Sequence, residues 1–254
     1  MRKFSAFSSK KVKRSEDISK SIIEMNNDID TREMSNLPAE PVQALIDRLP
    51  KYFTLCVASK RNSGKTFLVT QLVKTLLKQK KVDMVVVLSN TAGLNKDFDF
   101  LPSGLVMRFK EDVLKSIWDR QAKADKDKRD HILVILDDVL SDHRAVHSEM
   151  LGRLYSAGRH TSTSVICISQ VANIVLTPVM KQNSDFILWS RLNRRQLENI
   201  WSSMNGLSKK DFIKWAEIFG GVHYNFCVFD NYTDANAPED FLLVIRADDK
   251  KSKH

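Results

Sequence analysis

The sequence predicts an α/β fold, a mostly parallel sheet with helices on both faces. Three observations predict it. Short apolar runs rich in β-branched residues alternate with longer segments of helical period. Several of these runs are apolar throughout, as strands buried on both faces are. The alternation itself calls for crossover connections between parallel strands. A chain of 254 residues, 43% of them hydrophobic, can build one large domain with a real core and short extensions.

Residues 1–37 are polar, Ser- and Lys-rich and nearly aperiodic. They read as a flexible arm with a short helix around 18–25. Pro38 and Pro41 mark the start of the domain, expected over 38–246, with a charged tail over 247–254. Residues 42–49 suit a short amphipathic helix and 53–58 an apolar strand. A helix over 65–80 carries Leu68, Leu72, Val73, Leu76 and Leu77 on one face. A strand over 84–88 and a further apolar segment at 105–109 follow, then a helix over 111–122 and a charged loop over 123–130. Residues 132–136 read as a buried strand and 148–158 as a helix closed by Gly158. Strands at 164–169 and 186–189 precede helical patterns at 195–204 and 208–219. Residues 226–230 and 241–246 look like a closing antiparallel pair. No internal repeat is visible.

Composition narrows the function. The 40 basic residues exceed the 31 acidic ones, giving a formal charge of +9. Such an excess suits a polyanionic partner and equally a soluble basic surface. No stretch reaches the roughly 20 apolar residues of a membrane span. Arg2, Lys3, Lys10, Lys11, Lys13 and Arg14 lead into Ser15, Glu16 and Asp17 rather than an apolar run, so no secretory signal is expected. A cytosolic or nuclear setting follows. Cys56, Cys167 and Cys227 each sit in an apolar run and read as buried thiols; no Cys/His spacing suggests zinc.

The chemistry begins at Ser59-Lys60-Arg61-Asn62-Ser63-Gly64-Lys65-Thr66, between a strand and a helix. That is the context of a Walker A phosphate loop. Backbone N–H groups must converge on phosphate oxygens, and Gly64 lets the backbone come close. The helix N-terminus adds partial positive charge. Lys65 reaches the β- and γ-phosphates, Thr66 offers a hydroxyl to Mg2+, and Phe67 follows in the first turn. Ser59 stands where the pattern has Gly, so the first turn must close without one. The motif predicts a P-loop NTPase using ATP and Mg2+.

Residues 132–136 run into Asp137 and Asp138, like a Walker B strand. Asp137 suits the metal and Asp138 the attacking water. Aspartate is shorter than the Glu of many related ATPases and needs a closer approach or a second water. The strand at 164–169 ends in Gln170. Where a strand is inserted between the two Walker strands, this end faces the γ-phosphate, and Gln170 would sense it or orient water. Arg159, between a helix and that strand, could stabilise transition-state charge in cis or as a finger into a neighbour. His160 has no visible metal partners and reads as structural.

Together the stretch from Ser59 to Thr66, the strand ending at Asp137 and Asp138, and the block from Ala157-Gly158-Arg159-His160 to Ser169-Gln170 resemble the viral genome-packaging ATPases of the FtsK/HerA superfamily, over roughly residues 50–246. The resemblance implies a strand between the Walker A and Walker B strands. It implies an ATP-driven motor moving double-stranded DNA into a capsid, working as a homo-oligomeric ring with ATP between subunits. Partners would be DNA and capsid or portal vertex proteins. The setting would be the host-cell cytoplasm or a virus factory, with association to the virion. Arg191, Arg194, Arg195, Lys209, Lys210 and the N-terminal arm are candidate contacts to DNA phosphates. Two alternatives stay open: a P-loop small-molecule kinase, against which Asp137, Asp138 and Gln170 argue, and a non-catalytic DNA-binding protein with a degenerate nucleotide site, which Ser59 keeps alive.

Overall fold

A computed structural model describes residues 38–93, 96–139, 145, 147–170, 177–202, 208–233 and 238–247. The arm over 1–37, the short helix expected at 18–25, residues 248–254 and the end of the helical pattern at Met204 lie outside the described residues.

Nine strands form one sheet: β1 (Ala39–Pro41), β2 (Thr54–Ser59), β3 (Met84–Ser89), β4 (Val106–Met107), β5 (Ile132–Asp137), β6 (Thr163–Ser169), β7 (Phe186–Ser190), β8 (Asn225–Asp230) and β9 (Leu242–Arg246). Their spatial order is β1-β9-β8-β7-β2-β6-β5-β3-β4. β6 therefore lies between β2 and β5, paired parallel to both, as the additional strand was expected to be. The central strands are parallel, so their carboxyl ends share one edge of the molecule. The antiparallel region is wider than expected: β8 runs against β7 as well as β9. This returns the start of β8 to the carboxyl end of β2.

Eight helices connect the strands among the described residues: α1 (Val42–Arg48), α2 (Lys65–Lys78), α3 (Glu111–Lys123), α4 (Glu149–Ala157), α5 (Pro178–Asn183), α6 (Arg194–Trp201), α7 (Lys209–Gly220) and α8 (Pro238–Phe241). Period-two alternation splits each strand between two cores. Leu55, Val57, Val87 and Ile168 pack against Leu45 of α1 and Leu68, Leu72 and Leu76 of α2. Cys56, Ala58, Leu88 and Cys167 face Leu114, Leu154, Leu197 and Phe212 from helices on the other side. Each fully buried leucine contributes about 1.5–3 kcal/mol of transfer free energy. The three cysteines are fully buried. Burial pushes the Cys56 thiol up to about 11, against hydrogen bonds with Ser184 and Tyr155.

Two local expectations need correction. Residues 39–41 are an edge strand parallel to β9 rather than a mere boundary, and Pro41 is tolerated there because an edge strand has an unpaired side. Gly158 closes α4 as expected, its N–H donating to the Leu154 carbonyl, in a right-handed conformation. Its φ is −54°, and the chain continues into a 3-10 turn over Gly158–Thr161. Glycine is required there because a Cβ would stand 2.9 Å from the Thr163 carbonyl oxygen. The domain also extends past 246: Ala247 is buried and its N–H donates to the Tyr224 carbonyl at 3.0 Å.

Candidate nucleotide-hydrolysis site

β2 ends at Ser59, fully buried, and α2 begins at Lys65. Between them the loop curls on two left-handed residues, Asn62 at φ 59° and Gly64 at φ 90°. Asparagine tolerates that region and glycine has no Cβ to resist it. Ser59 is not left-handed, so its position does not demand glycine. Its hydroxyl instead meets the Ser63 hydroxyl at 2.5 Å, while Ser63 Oγ donates to the Lys60 carbonyl at 2.8 Å. Two serines thus tie the mouth of the loop, and its first turn closes without glycine.

Lys65 is only 8% exposed. Burial lowers its pKa, while Asp138 and Asp137 oppose the shift. On β5, Asp137 is buried, and its carboxyl is pushed above the usual carboxylate range chiefly by that burial. Ser89 Oγ donates to Asp137 Oδ2 at 3.2 Å from the facing position of β3. Asp138 takes a left-handed φ of 51°, its N–H donating to the Ile168 carbonyl at 3.1 Å. Gln170 Nε2 donates to Asp138 Oδ2 at 3.2 Å, joining the ends of adjacent strands β5 and β6.

These groups line one cavity of about 530 Å3 together with Arg61, Asn62, Ser63, Gly64, Thr66, Phe67, Thr91 and Asp97. The structure therefore brings together Lys65, Thr66, Phe67, Asp137, Asp138 and Gln170 as the sequence predicts. Ser59 supports the loop from beneath, and Lys60 is exposed on it. Ser89, Thr91 and Asp97 were missed. They carry no motif; only the pairing of β3 with β5 could have pointed to Ser89. The donor set fits Mg2+, which needs one or two carboxylates, a hydroxyl and phosphate oxygens rather than a dense ligand cage.

Arg159 does not join this cluster. It precedes β6 and lies at the amino end of the sheet, whereas the phosphate loop lies at the carboxyl end. A seven-residue strand separates the two ends by roughly 20 Å at about 3.3 Å per residue. The in-cis role is therefore removed. Arg159 lines a second cavity of about 450 Å3 with Lys51, Tyr52 and Asp185. The Asp185 carboxyl is pushed up by burial, with Thr54 hydrogen bonds and the Arg159 charge opposing. His160 is exposed, its carbonyl accepting from Arg129 Nη1 at 2.7 Å. Arg191, Arg194, Arg195, Lys209 and Lys210 are all exposed. Arg191 and the start of α6 follow the carboxyl end of β7, on the phosphate-loop side. Glu198 pairs with Arg194 at 3.6 Å and Lys209 at 3.2 Å, solvated pairs worth about 0–1 kcal/mol each.

A phosphate loop after β2, an acid pair after β5 and an inserted strand ending in Gln170 define a P-loop NTPase. The model of the Poxvirus A32 protein family matches residues 46–229, so the chain belongs to that family of packaging ATPases. No curated protein matches it. Among solved structures it is similar to the genome packaging NTPase B204 from Sulfolobus turreted icosahedral virus 2 in complex with AMPPCP, with 14% identity and a TM-score of 0.55 over 78% of this chain and 99% of that one. It is similar to the conjugation coupling protein TcpA of pCW3 with ATPγS, at 17% identity and TM-score 0.55 over 79% and 62% of the two chains. VirB4 of Thermoanaerobacter pseudethanolicus follows at 10% identity and TM-score 0.51, over 78% and 90%. At these identities the three likenesses establish the fold.

Proposed function

We propose that this ATPase is a motor that hydrolyses ATP to move double-stranded DNA into a viral capsid, working in the host-cell cytoplasm or virus factory. The observation that carries the hydrolytic part is the Asp138–Gln170 hydrogen bond, which sets a carboxylate and an amide at the cavity shared with Lys65. A pure binder has no use for that pair. Membership of a packaging family and the basic balance of +9 support DNA as the substrate. No helix among the described residues is long and apolar enough to cross a membrane.

The roles follow from position. The loop amides and Lys65 hold the phosphate chain. Thr66 and Asp137 would hold Mg2+, which when bound neutralises charge across the β- and γ-phosphates. Asp138 orients a water and accepts its proton, and Gln170 ties that carboxylate to the end of β6. Through the strand, Gln170 would report the presence of a γ-phosphate to elements beyond the cavity. Arg159, too far from its own site, acts in a neighbour's if the chains form a ring. Arg191, Arg194, Arg195, Lys209 and Lys210 would meet DNA phosphates without regard to base sequence.

The test is phosphate release with and without linear double-stranded DNA across a salt series. Stimulation by DNA that fades as salt rises is expected. A rate indifferent to DNA at every salt concentration would remove the motor reading.

A further inference from the structure

Tyr224 stands just before β8, at the sheet end that carries the phosphate loop. Its backbone is left-handed, φ 64°, a conformation a bulky residue keeps only where its surroundings impose it. Its carbonyl accepts from Ala247 N–H at 3.0 Å, which ties it to the end of β9. The ring covers Gly64: a Cβ built there would stand 2.6 Å from Tyr224 Cδ1. Gly64 is thus needed for the space as well as for its φ.

Two more rings adjoin it. Phe67 meets Tyr224 edge-on with centroids 5.9 Å apart, and His223 meets it at 4.2 Å. Phe67 is 37% exposed and lines the cavity, His223 is exposed, and Tyr224 between them is half-buried against the core, so the group opens to solvent through Phe67 and His223. Its position relative to the phosphates is informative. Asp137, Asp138 and Gln170 come from β5 and β6, on one side of β2. Tyr224 comes from β8, on the other side. Lys65 draws the β- and γ-phosphates toward the carboxylates. An α-phosphate and nucleoside on the far side of Lys65 from the carboxylates would lie on the Tyr224 side of β2. The wall formed by Thr91 and Asp97 offers a hydroxyl and a carboxylate, and among the described residues that line the cavity the aromatic one is Phe67.

We infer that Tyr224, with Phe67 and His223 beside it, is the surface on which the nucleobase of the bound triphosphate stacks. This rests on the reading of the cavity as an ATP site and adds where the base goes. Stacking on a ring is tolerant of base identity but requires a base.

The test is calorimetric titration of the full chain, with Mg2+ present, using ATP and inorganic tripolyphosphate as probes. Tripolyphosphate can use the loop but has nothing to stack. The wild type should bind ATP about tenfold tighter or more, the magnitude of one base on an aromatic surface. Tyr224→Ala should remove most of that advantage and leave tripolyphosphate affinity unchanged, while Tyr224→Phe keeps it. If Tyr224→Ala fails to fold, His223→Ala at the exposed position before it carries the same comparison. Equal wild-type affinity for both probes overturns the inference while the phosphate site stands. So does a variant that loses both probes in parallel, which would make the ring a prop for the loop, or one that loses neither. Binding of neither probe by the wild type would sink the nucleotide reading and the inference with it.

Discussion

At the amino ends of β2, β5 and β6, buried polar side chains find their partners among themselves; at the carboxyl ends, buried charges face one another across a cavity. His131 shows the first pattern. Its Nδ1–H donates to the Lys81 carbonyl at 2.6 Å, its Nε2 accepts from Ser164 Oγ at 2.7 Å, and its backbone N–H donates to Asp83 at 2.7 Å. Gln121, 2% exposed, donates to the carbonyls of Asp130 and Thr161 at 2.7 and 3.0 Å. Lys65 and Asp137 show the second pattern: burial shifts each toward its neutral form, and the opposite charge offsets this only in part. Four of the six left-handed non-glycine residues among the described ones lie at the same end, Asn62, Asp138, Arg191 and Tyr224, while Lys80 and Ser162 precede β3 and β6 at the other. A satisfied network holds a fold together. Charges and backbone held away from their preferred states mark a place built for a ligand.

Substitutions at the two ends should therefore fail differently. The largest effect is expected from Lys65→Ala, a drop in phosphate release of about 100-fold or more, with the thermal midpoint unchanged or raised. A comparable loss of stability with little loss of turnover would break the contrast. Gln121→Ala should do the reverse. It removes two hydrogen bonds, to the carbonyls of Asp130 and Thr161, and should cost about 1–3 kcal/mol in chemical denaturation while folded molecules keep their turnover.

A smaller effect belongs to pH. Burial lowers the His131 pKa, with Lys81 and Asp83 opposing. The unfolded chain takes up this proton near the ordinary value of about 6.5, and the folded chain resists it to lower pH. The contribution is thus present above pH ~6.5 and is lost as pH falls toward the folded pKa. Denaturation at a series of pH values should show this decline, and His131→Asn should flatten it; an unchanged slope would contradict the assignment. The smallest effect on stability is expected from Arg194→Ala with Lys209→Ala, within about 0.5 kcal/mol. Affinity for double-stranded DNA and its salt dependence should both fall, by about one unit of salt slope for each phosphate no longer neutralised. Unaltered DNA binding would clear these residues of that role.

The sequence made the middle of the molecule legible and its margins much less so. β2, β5 and β6 are apolar throughout because helices cover both faces, and α2 shows its buried stripe at helical spacing. β1 was not legible, since three residues flanked by prolines become a strand only by pairing with β9. Ser89 and Tyr224 had no local signal either; one reaches the site through strand register, the other through the reversal of β8. Arg159 is a different case. A residue just before a parallel strand belongs at its amino end, and in open α/β sheets ligands bind at carboxyl ends. That much was readable, and it already argued against a role in its own subunit's site.

The central claim is that the carboxyl end of the sheet hydrolyses ATP rather than merely holding it. Asp138→Asn tests it most directly, measured in one preparation for ATP affinity by calorimetry and for phosphate release at steady state. The expected result is ATP binding close to wild type, with release reduced by about 100-fold, the scale of a lost general base. Turnover at the wild-type rate with Asn at this position would contradict the account.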